Sequence, residues 1–368
     1  MNLPNPDSTF ENSQEAQLAA PLFSCAESFA PTPFHTREYL MAYRRSFGAR
    51  RKFHRLRAPK TSHESIDENA VAFLQTRGRS ARRLEFWGAG IHDIGGITHD
   101  SPAAASTLWR KIEMLASHHD GAHLSQIPAT SPLVELAQKS GWQISEAEKC
   151  PVLELPDSYD AYLKMLGKNM REQIKRYPKR LEKEFAVEYS LAQTESEVRV
   201  ALDDLFRLHG ARWRARGQTG VLATPKRQKF HRAVCHSFLK RDWLRIWTLR
   251  CDGKPVCVLL NYFYGGRYYF FIGGFDPEYS RWSVGICLFS KVFQRAIEEG
   301  ASEFDFLKGE EEYKYRYGAR NRDYKTIALF QSTPRGQLLK RRVALEETLL
   351  QKLHERFSAA HRKYNVLK

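Results

Sequence analysis

Between Phe304 and Gly318 the sequence gathers Asp305, Lys308, Glu310, Tyr313 and Lys314 behind a short strand pattern, Glu303 to Leu307. Carboxylates, ammonium groups and a phenol in so short a run can accept, hold and return protons, the work of general acid–base chemistry. The same residues can instead pair across a sheet, because charged networks are often structural. Upstream, Lys164, Lys168, Arg171, Lys175, Lys179 and Lys183 recur at steps of three or four, with Arg176 and Arg180 beside them. On a helix these form one cationic stripe, short of the acids at four-residue spacing that would stabilise it. Such a stripe suits an anionic partner, although a solvated helix face has the same pattern. The group His118, His119, Asp120 and His123 lacks metal-ligand spacing such as H-E-x-x-H, so no metal site is expected. Six cysteines are scattered without a C-x-x-C pair and read as reduced thiols.

Positioning these groups requires a substantial scaffold. At 368 residues the chain exceeds the roughly 250 to 300 residues at which single cores stop growing, so two domains are expected. A hydrophobic fraction of 42% supplies the core, and a formal charge of +16 favours an anionic partner. No apolar run approaches the roughly 20 residues that span a bilayer, and the first 30 residues lack the order of a secretory signal. A cytosolic location is therefore expected, with peripheral membrane contact left open.

Residues 1–30 are polar and aperiodic and read as a mobile tail. A helix is expected over His35 to Phe47, then strands at Lys52 to Arg57, Val71 to Thr76 and Leu84 to Trp87, and a helix from Ser101 to Ser117 with Ser101 as its cap. From Asp157 to about Phe185 apolar residues follow helical spacing, but Pro178 removes a backbone donor, which predicts a kink or break near Lys175. Helices near Glu195 to Arg214 and Pro225 to Lys240 lead to a meander, Leu244 to Arg250, Pro255 to Tyr264 and Arg267 to Phe275. Asp252-Gly253 and Gly265-Gly266 are its turns, since two-residue hairpins need positive φ. Ser283 is read as the cap of a helix from Val284 to Glu299, and Lys325 to Ser332 as a further strand. Leu338 to about Lys363 follows as a basic amphipathic helix. The divisions expected are 1–30, 31–155, 156–332 and 333–368.

The order helix, helix, three antiparallel strands, loop, helix, strand resembles that of a GNAT acyltransferase. Short motifs resemble the BioF2-like (CelD/BcsL) subgroup, which is related to the Fem aminoacyl ligases. They are Gly167-Lys168-Asn169-Met170-Arg171, Leu208-His209-Gly210-Ala211-Arg212-Trp213 with Gly217, Phe230-His231, Gly274-Phe275-Asp276, Ser283-Val284-Gly285, and Phe304-Asp305-Phe306-Leu307-Lys308-Gly309 running into Tyr313-Lys314. In the first half, Phe86-Trp87-Gly88-Ala89-Gly90 and Asp93 resemble the glycine-rich strand end of the same family. The fold class implied is α/β (α+β): tandem GNAT-like units, the first degenerate, each a mixed, mostly antiparallel sheet flanked by helices.

The resemblance also implies roles. A GNAT enzyme seats the donor pyrophosphate on a loop entering a helix, here Arg281, Trp282, Ser283, Val284, Gly285 and Ile286, with Val284 standing where the usual first glycine would be. Amine acylation needs a proton acceptor, a donor to the thioester oxygen and an acid for the thiolate. Glu310 is the candidate base, Lys314 the candidate for polarising the carbonyl or binding an acidic acceptor, and Tyr313 the candidate acid, with Asp305 beside them. His209, Trp213, Lys308, Lys168 and Arg171 are candidates for binding substrate. The implied activity is N-acyl transfer from acetyl-CoA or another acyl-CoA to a small amine or amino sugar, without metal, in the making of a surface polysaccharide. Alternatives are an acyl-carrier-protein or aminoacyl-tRNA donor, or a non-catalytic nucleic-acid or membrane-surface binder, although no RRM, OB or helix-turn-helix signature is present.

Overall fold

The computed structural model describes residues 30–59, 68–215 and 217–366. The expected tail, but for Ala30, lies outside them, as does Cys25. The first half comprises α1 (Arg37–Phe47), β1 (Lys52–Pro59), β2 (Glu68–Arg77), β3 (Arg83–Phe86), β4 (Thr98–His99), α2 (Pro102–Ser117), β5 (Gly121–Pro128), α3 (Pro132–Lys139), β6 (Gln143–Glu146) and β7 (Cys150–Glu154). The second comprises α4 (Tyr159–Met165), α5 (Lys168–Glu184), β8 (Val187–Leu191), α6 (Glu195–Arg214), α7 (Pro225–Leu239), β9 (Leu244–Cys251), β10 (Lys254–Tyr264) and β11 (Arg267–Phe275). It continues with α8 (Val284–Glu298), β12 (Glu303–Asp305), α9 (Glu312–Arg316), β13 (Arg320–Arg322), β14 (Tyr324–Phe330) and α10 (Pro334–Val366).

Local chemistry explains many of these boundaries. The side chains of Thr36, Ser101, Ser131, Ser158 and Thr224 accept backbone amides at the starts of α1, α2, α3, α4 and α7. Thr194 and Glu197 form a reciprocal capping box on α6, satisfying two donors that a helix start leaves unpaired. Asp252 and Gly253 both have positive φ, as do Gly265 and Gly266, the geometry that the two hairpins of the meander require.

The strands form two mixed sheets flanked by helices, in the orders β1-β2-β3-β5-β14-β6, with β4 added to β2, and β13-β7-β12-β11-β10-β9-β8. Each has one parallel pair in an otherwise antiparallel order: β3 with β5, joined through α2, and β11 with β12, joined through α8. The sheets do not follow the chain halves 31–155 and 156–332. β7 leaves the first half to pair with β12 and β13, while β14 leaves the second to lie between β5 and β6. One face of the second sheet packs on α5 and α8 through Met170, Ile174, Leu181, Leu288 and Phe293. Its other face shares a core with the first half, where Phe34, Tyr39 and Tyr43 meet Leu205, Phe230 and Tyr262.

The long helical pattern after Asp157 breaks at a different place from the one predicted. α5 runs unbroken through Pro178, and the chain turns at Leu166, whose ψ of 144° is extended. An internal proline costs about 3 kcal/mol. Burial of Met170, Ile174 and Leu181 along one face of α5 offsets that cost and carries the helix past Pro178.

Candidate active site

The second sheet opens at β11 and β12. The two strands pair in parallel at Arg267 with Glu303, Tyr268 with Phe304 and Tyr269 with Asp305, and there the pairing ends, although β11 continues to Phe275. On its other edge β11 stays paired with β10, where Leu260 faces Ile272 and Asn261 faces Phe270, leaving Phe271 as an extra, bulged residue. A bulge sharpens local twist and bends its strand, so it turns the end of β11 away from β12 where the pairing stops. The result is a wedge with Asp305 at its apex and the backbone of 270–275 along one wall.

α8 begins just beyond the outer end of β11. Ser283 does not cap it: Ser283 has φ 57° and ψ 40°, and its side chain makes no capping bond. This left-handed turn puts the Ser283 carbonyl within reach of the amides of Ile286 and Cys287, at 2.9 and 3.2 Å. The amides of Val284 and Gly285 find no backbone partner among the described residues. Val284 is buried, so the residue in place of the usual glycine packs inward, while Gly285 beside it is partly exposed. A Cβ built on Gly285 would meet nothing within 4 Å, so open space faces the helix start. Arg281 is exposed and lies over the Trp282 ring at 3.8 Å. Free amides, the helix dipole and a nearby guanidinium together favour an anion.

At the apex, Asp305 is buried and its Oδ1 accepts the Leu307 amide at 2.7 Å, while Oδ2 has no hydrogen-bond partner among the described residues. Burial pushes its carboxyl up to about 6, against the opposing pull of the Leu307 amide and Arg322. Leu307, also buried, has φ 56°, a conformation that costs a non-glycine residue about 1–2 kcal/mol. The turn is held in place by Lys314. Its buried Nζ donates to the carbonyls of Lys308 and Gly309 at 2.9 Å each and pairs with Glu311 Oε2 at 2.8 Å. Lys314 is thus a brace, with its donors directed at the chain itself rather than at the wedge.

Lys308 points from that turn toward the first half, with Nζ 3.4 Å from Asp93 Oδ1 and 3.9 Å from Glu148 Oε1. Burial alone would lower its pKa, but the carboxylates outweigh burial and raise it. Glu310 is exposed, and its Oε1 accepts Tyr315 Oη at 3.2 Å and Asn321 Nδ2 at 3.0 Å. Tyr313 packs among Phe289, Phe306 and Tyr317, and burial raises its phenol, so it keeps its proton at neutral pH.

His209 is buried on α6 and accepts Trp213 Nε1 at 2.8 Å through Nε2. Because indole only donates, the histidine proton must sit on Nδ1, which has no partner among the described residues. Burial, then Arg212, lowers this histidine to about 3, so it is neutral at physiological pH. A Cβ on Gly274 would lie 2.5 Å from His209 N, so glycine there lets β11 approach α6 closely.

Lys168 and Arg171 are not brought to the α8 start. The far end of α5 lies there, where Phe185 packs on Trp282 and Tyr279. Arg171 sits about 20 Å away along the helix axis at 1.5 Å per residue. The histidine group is dispersed: His119 bonds Thr76, His123 bonds Glu347, and Asp120 accepts the Arg82 amide. Among the described residues no group of His, Cys, Asp or Glu is placed to hold a metal, and no helix is long and apolar enough to cross a membrane.

Several residues at the site were not singled out for a role by sequence reasoning. Glu148 and Arg322 reach it only through tertiary packing, and no local spacing marks them. Asp93 stood inside a recognisable glycine-rich motif, which was its only signal.

Residues 168–315 match the protein family described as Acetyltransferase (GNAT) domain. No curated protein sequence matches the chain. Among solved structures, FemX superposes with a TM-score of 0.66 at 9% identity, covering 87% of this chain and 98% of that one. The C-terminal domain of a protein from Agrobacterium fabrum described as a lysylphosphatidylglycerol synthetase gives 0.56 at 14% identity, covering 89% and 97%. L-PGS from Bacillus licheniformis gives 0.54 at 14%, covering 87% and 97%. At such identities the likeness is one of fold. A stretch that matches a GNAT acetyltransferase domain, within a fold similar to that of FemX, supports an acyltransferase-type function.

Proposed function

We propose that the protein transfers an acyl group from an acyl-CoA to an amine, with the donor in the wedge between β11 and β12. The observation that carries this reading is the wedge itself. Two strands part at a bulge, a helix with unpaired amides starts at the outer end, and a buried carboxylate stands at the apex. The residues present fit the donor's phosphates: the Val284 and Gly285 amides, the open space beside Gly285 and Arg281 provide an anion seat, with Ser283 and Ile286 shaping its backbone.

The donor supplies an activated carbonyl. The chain's own part begins with the acceptor, whose ammonium must lose a proton before its nitrogen can form a bond to that carbonyl carbon. Asp305 Oδ2 is the favoured acceptor of this proton, since a carboxyl near 6 is largely ionised at neutral pH and more basic than an ordinary one. Glu310 is the alternative, outside the apex. Tyr313, which keeps its proton, is the candidate for returning one to the departing thiolate, and His209, neutral with its proton on Nδ1, is the candidate donor to the acceptor. Lys314 contributes by holding the turn that places Lys308. A small amine or amino sugar destined for a surface polysaccharide, as in the BioF2-like subgroup, is the acceptor class we favour.

A second reading, a donor carried on a macromolecule, is favoured by α5, which presents Lys168, Lys175, Arg176, Lys179, Arg180 and Lys183 to solvent. An acidic acyl carrier protein or an aminoacyl-tRNA suits that face. One experiment separates these donors. Purified protein is given acetyl-CoA, acyl carrier protein or aminoacyl-tRNA with a panel of amines, and product is read by mass. Amine-dependent thiol release from acetyl-CoA alone supports the first reading. Activity that needs the carrier protein, or is lost on RNase treatment, replaces it with the second. No transfer from any donor overturns both.

A further inference from the structure

α10 is held to the first sheet by one side. Leu339 and Val343 pack with Ala81 and Phe330, Glu346 pairs with Arg83 at 2.9 Å, and Glu347 meets His123 at 3.0 Å. A second apolar line runs along the same helix. Leu338, Leu345 and Leu349 are 42%, 59% and 52% exposed. At about 100° per residue they fall within an arc of about 40°, roughly 120° round the helix from Leu339 and Val343, and extend over about 17 Å of its length. Leucines scattered singly over a surface are ordinary, but these three share one crest that faces away from the sheet.

The charge around this crest is of one sign. Arg341 and Lys352 run along one flank and Arg335 and Arg342 along the other, all of them exposed. The only acids between Pro334 and Lys352 are Glu346 and Glu347, and these are turned to Arg83 and His123. The turn between β2 and β3 adds Arg77, Arg79 and Arg82, also exposed. It lies beside the helix, since Arg342 Nη1 donates to Ser80 Oγ at 3.5 Å.

An apolar line between two basic flanks matches a partner that is apolar within and anionic at its rim. Other partners fit less of it. Nucleic acid satisfies the basic groups and leaves the leucines in water. An acidic peptide helix needs a groove, and the leucines form a crest. A second copy of the chain buries the leucines but sets like charges together. Arg341, Thr348 and Lys352 also occupy the positions that a coiled-coil seam through Leu338 and Leu345 requires to be apolar.

We propose that α10 lies on an anionic membrane surface, with Leu338, Leu345 and Leu349 entering the boundary between headgroups and acyl chains and the surrounding arginines and Lys352 meeting lipid phosphates. The docking is peripheral and reversible, because a short line of leucines anchors weakly and the basic flanks are screened by salt. It concerns where the protein is held and does not depend on acyl transfer.

The test is flotation of the full chain with vesicles of phosphatidylcholine, alone or mixed with phosphatidylserine, beside paired variants shown to be folded by circular dichroism. Wild type is expected to float with the anionic vesicles, to be released by high salt, and to bind the neutral ones at least about tenfold more weakly. Leu345→Glu with Leu349→Glu is expected to lose at least about tenfold in affinity for the anionic vesicles, and Arg341→Gln with Arg342→Gln a similar factor. Lys175→Gln with Lys179→Gln removes the same charge from α5 and is expected to bind within about twofold of wild type. Failure of wild type to bind anionic vesicles overturns the proposal, as does undiminished binding by the leucine variant. A loss in the Lys175 and Lys179 variant as large as that in the arginine variant also overturns it, since net charge rather than α10 then governs binding. A dimer in light scattering that the leucine variant abolishes, with no vesicle binding by wild type, assigns the crest to a second copy instead.

Discussion

Replacing Lys314 by Met distinguishes a brace from a catalytic ammonium. Methionine keeps an unbranched stem and removes two hydrogen bonds of 2.9 Å to the Lys308 and Gly309 carbonyls and the 2.8 Å pair with Glu311. Hydrogen bonds to a charged group contribute about 1.5–3 kcal/mol each, and removing one member of a buried pair costs about 3–5 kcal/mol. Glu311 is 43% exposed and can rehydrate, but the Lys308 and Gly309 carbonyls, with that of Leu307 at 3.5 Å as a weaker third, lose their partner. A destabilisation of about 3–5 kcal/mol follows, with a fall in unfolding midpoint of roughly 10 °C. Urea unfolding followed by tryptophan fluorescence, beside calorimetric melting, measures it. A variant within about 1 kcal/mol of wild type refutes the brace. If that variant were also folded and inactive in a single turnover, the ammonium would belong to the chemistry.

Asp305→Asn tests the buried carboxylate. A carboxyl raised to about 6 holds its proton in the folded state after the unfolded chain has lost it, so wild-type stability relative to the variant falls between pH 4 and 6, by about 3 kcal/mol in all. In a pH–rate profile the wild-type single-turnover rate rises through about 6, and this limb is absent from the variant. His92, His209 and His231, lowered to about 3, and His35, lowered to about 4, act in the opposite sense. Each binds a proton more readily unfolded, so together they cost stability as the pH drops below about 6.5, and His209→Gln shallows that acid limb in equilibrium unfolding. Gly274→Ala drives a methyl into the His209 amide, and a loss of about 1–3 kcal/mol is expected in urea unfolding; an unchanged midpoint contradicts the close approach.

What the sequence made legible were features whose cause is local. The meander, its two positive-φ turns and the Ser101 cap were readable because a few neighbouring residues determine them. The two-sheet α/β architecture was legible through element order. The chain does not break at Pro178 because its local cost is outweighed by the buried face of α5, a tertiary term that no propensity contains. Ser283 misled because a left-handed turn, rather than its hydroxyl, starts α8. The exchange of β7 and β14 between the sheets leaves no periodic trace, since a strand pattern does not name its partner. The run from Asp305 to Lys314 was rightly seen as a concentration of charge, yet the partition of roles within it depends on which atoms are already bonded. Lys314 is occupied by carbonyls, Lys308 faces Asp93, and Asp305 keeps at the apex an oxygen without a hydrogen bond, 3.9 Å from Arg322 Nη1.

The most direct test of the donor seat is calorimetric titration of coenzyme A into wild type and Gly285→Asp. The Gly285 side faces open space, so an aspartate can be accommodated without disturbing the fold while setting a carboxylate against the unpaired amides. The expected result is one coenzyme A site in wild type and at least about tenfold weaker binding in the variant, the order of effect of a charge placed wrongly at a helix start that holds an anion. Equal affinity in the two proteins, or no binding to either, contradicts a donor seated at the start of α8.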